Sequence, residues 1–143
     1  KEKITVILFG INQLDSIEIH NEFKNIKIIN LGKIADENLL RLVYSCSDLV
    51  VIPSLTEAFG LIALESIHCG IPCVVFENTG LTSIITHKQN GYIAKYNSAE
   101  DLKTGIIWIL KNLIHSSQVI YEKALIDFDD SKISQRYIEF LKK

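Results

Sequence analysis

Residues 53–72 read PSLTEAFGLIALESIHCGIP, and this stretch sets how the rest of the chain is read. An apolar run, DLVVIP (48–53), leads into it, and a second, PCVVF (72–76), leaves it. Each has the length and composition of a buried strand. Between them the pattern predicts a turn and then a helix over 59–69. Gly70 ends that helix and Pro72 opens the next strand. Two carboxylates, Glu57 and Glu65, with seven residues between them, stand in a run otherwise dominated by Ala, Phe, Gly, Leu and Ile.

The same alternation extends in both directions. Upstream, KITVILFG (3–10) is an almost unbroken apolar run that suits a central strand covered on both faces. INQLDS (11–16) reads as a loop and SIEIHNEFKN (16–25) as a weak helix or irregular connection. KIINLG (27–32) is a second strand, and Asp36 is an N-cap for a helix carrying Leu39, Leu40, Val43 and Cys46. Downstream, ENTG (77–80) is a turn, LTSIITHKQ (81–89) holds a short helix and GYIA (91–94) is a short strand. Ser98 and Asp101 have the spacing of a capping box. The helix behind them carries Leu102, Ile106, Ile109, Leu110 and Leu113 on one face. Two more helices are predicted, over 117–126 and over 131–142, the last carrying Ile133, Tyr137, Phe140 and Leu141. Strands alternating with helices predict one α/β domain over 1–143: a Rossmann-like, doubly wound parallel sheet with a helical C-terminal segment. Ligands of such sheets bind beyond the carboxyl ends of the strands, here Gly10, Gly32, Pro53 and Glu77–Gly80.

Composition narrows the function. With 143 residues, 48% hydrophobic and 22% charged, the chain reads as globular, not disordered. Its net charge is -2, and its 13 Lys and 2 Arg are spread along the chain, so no nucleic-acid partner is expected. Its apolar runs are far short of a membrane span, and no signal peptide is visible. Cys46, Cys69 and Cys73 lack metal-ligand spacing and read as buried, reduced thiols in a cytoplasmic protein. The histidines (His20, His68, His87, His115) fall in loops or on polar faces, and no Ser–His–acid arrangement is readable. Trp108 and the five tyrosines read as packing. The chain begins at Lys1 and contains no Met, which leads us to expect a piece of a longer protein.

The chemistry lies in the central stretch. A helix amino end has unpaired amides and partial positive charge, so the amides of Gly60, Leu61 and Ile62 can hold a phosphate. Glu65 lies five residues on, about 7–8 Å along the axis, the separation between a nucleotide's phosphate and its ribose hydroxyls. A carboxylate accepts two hydroxyl hydrogen bonds there. Glu57, ahead of the helix, faces whatever is attached beyond the phosphate, and a sugar suits it. Either acid alone is more simply a solvated or dipole-complementing charge; the pair, joined to Phe59–Gly60 and the 70–72 turn, favours function.

The E-x7-E pattern enclosing AFG, preceded by PS and followed by CGIP, resembles the donor-binding half of retaining glycosyltransferases of the GT-B fold, glycosyltransferase family 4 above all. The resemblance runs from the first strand to AEDL (99–102), through Gly32, Asp36, Leu39–Leu40, Tyr44, Ser47–Asp48, Gly80 and Gly91. It implies that Glu65 binds the ribose, that Glu57 contacts the donor sugar, and that the amides after Phe59 hold phosphates or sugar. It also implies that the base lies against Gly32, Lys33 and Ile34. The donor would be a UDP-, GDP- or ADP-sugar, with no cofactor and no metal, and the acceptor a glycan or lipid-linked saccharide in polysaccharide biosynthesis. Three departures stand out. Thr79, Gly80 and Ser83 occupy a region where the family has two glycines and an acid; Ala58 stands where Gly is common; and the earlier strand and loop carrying diphosphate-binding cations are not found. Arg41 and Arg136 sit inside helices, and Lys33 is a weak substitute. The acceptor domain, and any peripheral membrane association, would belong to a missing N-terminal half, so the piece alone is expected to be inactive. A non-catalytic Rossmann-like interaction domain and a GT-B sugar-nucleotide epimerase are the alternatives. A dinucleotide enzyme is disfavoured, because FGINQLD (9–15) carries no G-x-G-x-x-G and no P-loop occurs.

Overall fold

The computed structural model describes residues 4–10, 25–129, 131 and 134. The loop expected at 11–16, the weak helix at 16–25 with His20, and the helix at 131–142 with Arg136 lie outside the described residues, Asn25, Ser131 and Ser134 apart. The chain divides into two compact units, residues 1–43 and 44–143.

In the first unit β1 (Ile4–Leu8) and β2 (Ile26–Asn30) pair in parallel, with Ile4 opposite Ile26 and Leu8 opposite Asn30. The pairing continues past the strands: the Leu31 amide donates to the Leu8 carbonyl, and the Gly10 amide to the Gly32 carbonyl, both at 2.8 Å. β1 is not covered on both faces as its composition predicts. Ile4 is 56% exposed, and Val6, Ile7 and Leu8 are half-buried. Asp36 caps α1 (Glu37–Ser45) as expected, its Oδ1 accepting from the Asn38 amide at 2.9 Å and from the Leu39 amide at 3.4 Å. The unit boundary falls inside α1, between Val43 and Tyr44. Val43 and Tyr44 are buried, whereas Leu39 and Cys46, expected on the inner face, are exposed.

The second unit holds a three-stranded parallel sheet in the order β3-β4-β5, built from Val50–Ile52, Cys73–Phe76 and Gly91–Ala94. β4 is central, and all four of its residues are buried. Both its faces carry helices. Val74 packs with Ile109 and Leu113 of the α3 (Ala99–Asn112) region, with Leu102, Ile106, Tyr92 and Trp108 around them. Its neighbour Cys73 points the other way, as alternation requires, toward the side on which α2 (Leu61–His68) packs. α4 (Ser117–Asp127) packs against α2. The fold is therefore α/β with parallel strands and helices on both sheet faces.

Local chemistry accounts for the boundaries. α2 ends in a Schellman motif: Gly70, at φ 76°, donates to the Ile67 carbonyl and Ile71 to that of Ser66, each at 3.0 Å. Ser98 caps α3 by accepting from the Asp101 amide at 3.2 Å. Asp101 does not reach back to Ser98 to complete a capping box. It accepts instead from the Lys95 amide (2.7 Å) and the Tyr92 hydroxyl (3.2 Å), so it ties the end of β5 to α3. Leu110, expected on the inner face of α3, is 40% exposed. The short helix expected within 81–89 is a single 3-10 turn at Gly80–Ser83. Side chains take the backbone partners a longer helix would need: Asn90 Oδ1 accepts from the Thr86 amide and its Nδ2 donates to the Ile84 carbonyl. Of the three thiols only Cys73 is fully buried; Cys69 is half-buried and Cys46 exposed. Burial pushes the Cys73 thiol up to about 12, against the opposing pull of Ser66.

Candidate functional site

Five of the eight residues singled out from the sequence gather around α2. The helix begins two residues later than predicted, at Leu61, with Gly60 as its N-cap in the left-handed conformation (φ 92°, ψ 59°). That conformation is why a glycine stands there. No side chain caps this end. The Gly60 carbonyl accepts from Ala63 and Leu64, while the amides of Gly60, Leu61 and Ile62 have no acceptor among the described residues. The first turn is open: Leu61 is 64% exposed, Phe59 47% and Ile62 40%. Uncapped amides at an exposed helix end are a place for an anion.

The turn before the helix is held from the sheet side. The Glu57 carbonyl accepts from the Gly80 amide at 2.8 Å, so residues 57–58 rest on the start of the 3-10 turn. A Cβ on Gly80 would meet the Ala58 carbonyl oxygen and come within 2.7 Å of that of Glu57. Gly80 is thus a close-approach glycine. A Cβ on Gly60 would strike the tip of the fully buried Leu81 side chain. Thr79 is buried beside this contact, its hydroxyl donating to the Phe76 carbonyl at 3.0 Å, and the Ser83 hydroxyl donates to the Gly80 carbonyl at 2.7 Å. Both departures from the family pattern are therefore spent on holding the loop's own backbone. Glu57 is half-buried, with its Cγ near Gly60.

Glu65 is exposed on α2, and its carboxylate is fixed. The hydroxyl of Tyr44 donates to Glu65 Oε2 at 2.8 Å, and Tyr44 itself is only 1% exposed. Burial, followed by the hydrogen bond and the charge of Glu65, pushes the Tyr44 phenol far up, so it stays a neutral donor. Sequence reasoning assigned the tyrosines to packing and missed this one. Its place just ahead of Ser47–Asp48, inside the family pattern, was the available signal.

Gly32, Lys33 and Ile34 follow β2 in the first unit. Gly32 adopts φ 63°, and its amide donates to Asn30 Oδ1 at 2.9 Å. Lys33 is exposed and Ile34 half-buried. At the far end of α2, His68 Nδ1 lies 2.8 Å from the Leu64 carbonyl, beside a shallow hollow also lined by Leu125, Phe128, Asp129 and Ser131. Among the described residues no cluster of His, Cys, Asp or Glu has the arrangement of a metal site. No described helix is long and apolar enough to cross a membrane.

The parallel sheet with helices on both faces is that of GT-B glycosyltransferases. The structure of Anabaena HepE in complex with UDP-glucose matches with a TM-score of 0.66 and 25% identity, over 96% of this chain and 40% of that one. The Glycosyl transferases group 1 family model matches residues 1–125, and the chain belongs to that family. It is 36% identical over 86 residues to an uncharacterized glycosyltransferase of Methanocaldococcus jannaschii. Over 86 residues it is 31% identical to the N-acetyl-alpha-D-glucosaminyl L-malate synthase of Bacillus anthracis. Each match covers 60% of this chain and 22% of the relative. The chain thus spans well under half the length of the proteins it resembles.

Proposed function

We propose that this chain is the donor-binding half of a retaining glycosyltransferase of family 4, moving a sugar from a nucleoside diphosphate sugar to an acceptor. The observation that carries the reading is the pairing on α2 of an open, Gly60-capped amide end with a carboxylate farther along the helix, already held by Tyr44. The amides of Gly60, Leu61 and Ile62 take the diphosphate and Glu65 takes the ribose hydroxyls. Glu57, half-buried at the mouth of the same turn, orients the sugar. The UDP-glucose bound by HepE supports a nucleotide-sugar donor. Gly32, Lys33 and Ile34 line the base in this proposal, on the family resemblance alone. Most of the catalysis is electrostatic: fixed amide dipoles stabilise the charge that grows on the leaving diphosphate. An acceptor from glycan or lipid-linked saccharide synthesis and a cytoplasmic site of action complete the reading. The 143-residue chain alone binds donor weakly and transfers no sugar.

Thermal-shift titration with UDP, GDP and ADP tests it. The matching nucleotide should stabilise the protein by about 2.7 kcal/mol at one hundred times its dissociation constant. Glu65→Ala should lose most of that shift. Equal shifts in the two proteins would remove the ribose role.

A further inference from the structure

Glu65 has three side-chain torsions and stands exposed on α2, so by itself it samples several rotamers. Tyr44 removes that freedom. Its ring is buried to 1% exposure at the end of α1, and its hydroxyl sits 2.8 Å from Glu65 Oε2. An ionised carboxylate offers about four acceptor positions. One is taken by Tyr44, and the second oxygen remains for an incoming pair of hydroxyls. The donor is a neutral phenol, so it adds no charge of its own to the pair. A lysine or arginine in the same place would have neutralised the carboxylate.

We propose that Tyr44 is a positioning residue for the donor site: it presets the Glu65 carboxylate so that the ribose diol is met by an acid already in place. The inference rests on the assignment of Glu65 to the ribose and extends it to a residue on a different helix. It makes the hydroxyl-dependent part of nucleotide affinity, and no other part, depend on the Tyr44 hydroxyl.

The test is calorimetric titration of the complete natural protein with UDP and with 2′,3′-dideoxy-UDP, for wild type, Tyr44→Phe, Glu65→Ala and Glu65→Gln. Wild type should prefer UDP. Tyr44→Phe, which keeps the ring and the packing, should weaken UDP about five- to tenfold, as loss of a charge-assisted hydrogen bond implies. Its affinity for the dideoxy nucleotide should change less than about twofold. Glu65→Ala should abolish the preference. Glu65→Gln, which still accepts from Tyr44 but keeps a single carbonyl oxygen, should lose most of it. A Tyr44→Phe protein that weakens both nucleotides equally shows a structural role and overturns the inference, as does one that binds both like wild type while Glu65→Ala loses the preference. A Glu65→Ala protein that keeps the full preference overturns the ribose assignment itself, and the Tyr44 inference with it.

Discussion

At the scale of the residue, Gly60 and Tyr44 show the two ways a position in this chain is constrained. Gly60 is held by backbone conformation and by space together. Its φ of 92° costs an L-residue about 1–2 kcal/mol, and a Cβ would press on the fully buried Leu81. Overpacking of that kind adds about 1–3 kcal/mol. Gly60→Ala should therefore destabilise the protein by about 2–5 kcal/mol in urea denaturation, and an unchanged midpoint would show that the turn relaxes freely. Tyr44 is held by burial and one hydrogen bond, and its phenol is raised in the folded state above the ordinary value of about 10. A raised group contributes stability that is complete below the unfolded value and is lost as pH climbs toward the folded one. Stability should thus fall as pH rises above about 10, and the fall should be shallower in Tyr44→Phe than in wild type. Urea midpoints measured from about pH 8 to 11 check this; parallel curves would assign the pH response to other groups.

At the scale of the element, α2 and α3 use opposite solutions at their amino ends. Ser98 closes α3 by accepting from the Asp101 amide, and Asp101 spends its own carboxylate on Lys95 and Tyr92. Among the described residues the first amides of α2 have no acceptor. A helix that serves only stability is better capped, so a bare end is what the diphosphate role proposed for α2 requires. Ser98→Ala should cost about 1 kcal/mol in urea denaturation and leave nucleotide affinity unchanged. A loss of affinity in that variant would tie α3 to the site and contradict the division of labour between the two helices. The 81–89 segment shows how element type is overruled locally: its residues suit a helix, yet Asn90 and the Thr82 and Ser83 hydroxyls take over backbone partners and stop it after one turn.

At the scale of the molecule, the second unit is organised about β4. Its four residues are buried, it lies between β3 and β5, and helices cover both its faces. The β1–β2 pair of the first unit is more open, with Ile4 56% exposed. Hydrogen exchange should be slowest at the amides of Val74, Val75 and Phe76 and distinctly faster in β1, because exchange from a central strand needs the largest opening. Equal protection in the two sheets, measured by mass spectrometry or NMR, would mean that the unequal burial has no energetic counterpart. The family match over residues 1–125 runs through both units.

Much of this was legible in the chain. Strand-helix alternation, the Gly70 terminus and the Asp36 and Ser98 caps all follow from short-range rules of period, capping and turn chemistry, which act within about one helical turn of sequence. What the sequence left open depends on residues far apart in the chain. The Tyr44 bond to Glu65 spans 21 positions, and the approach of Gly80 to the Glu57–Ala58 backbone more than 20. The exposure of Cys46 and Leu110 depends on which helix face meets a neighbour. Periodicity assigns a residue to a face but not the atom that face will touch; only the packed fold brings a buried phenol to one carboxylate and seats one glycine against a distant leucine.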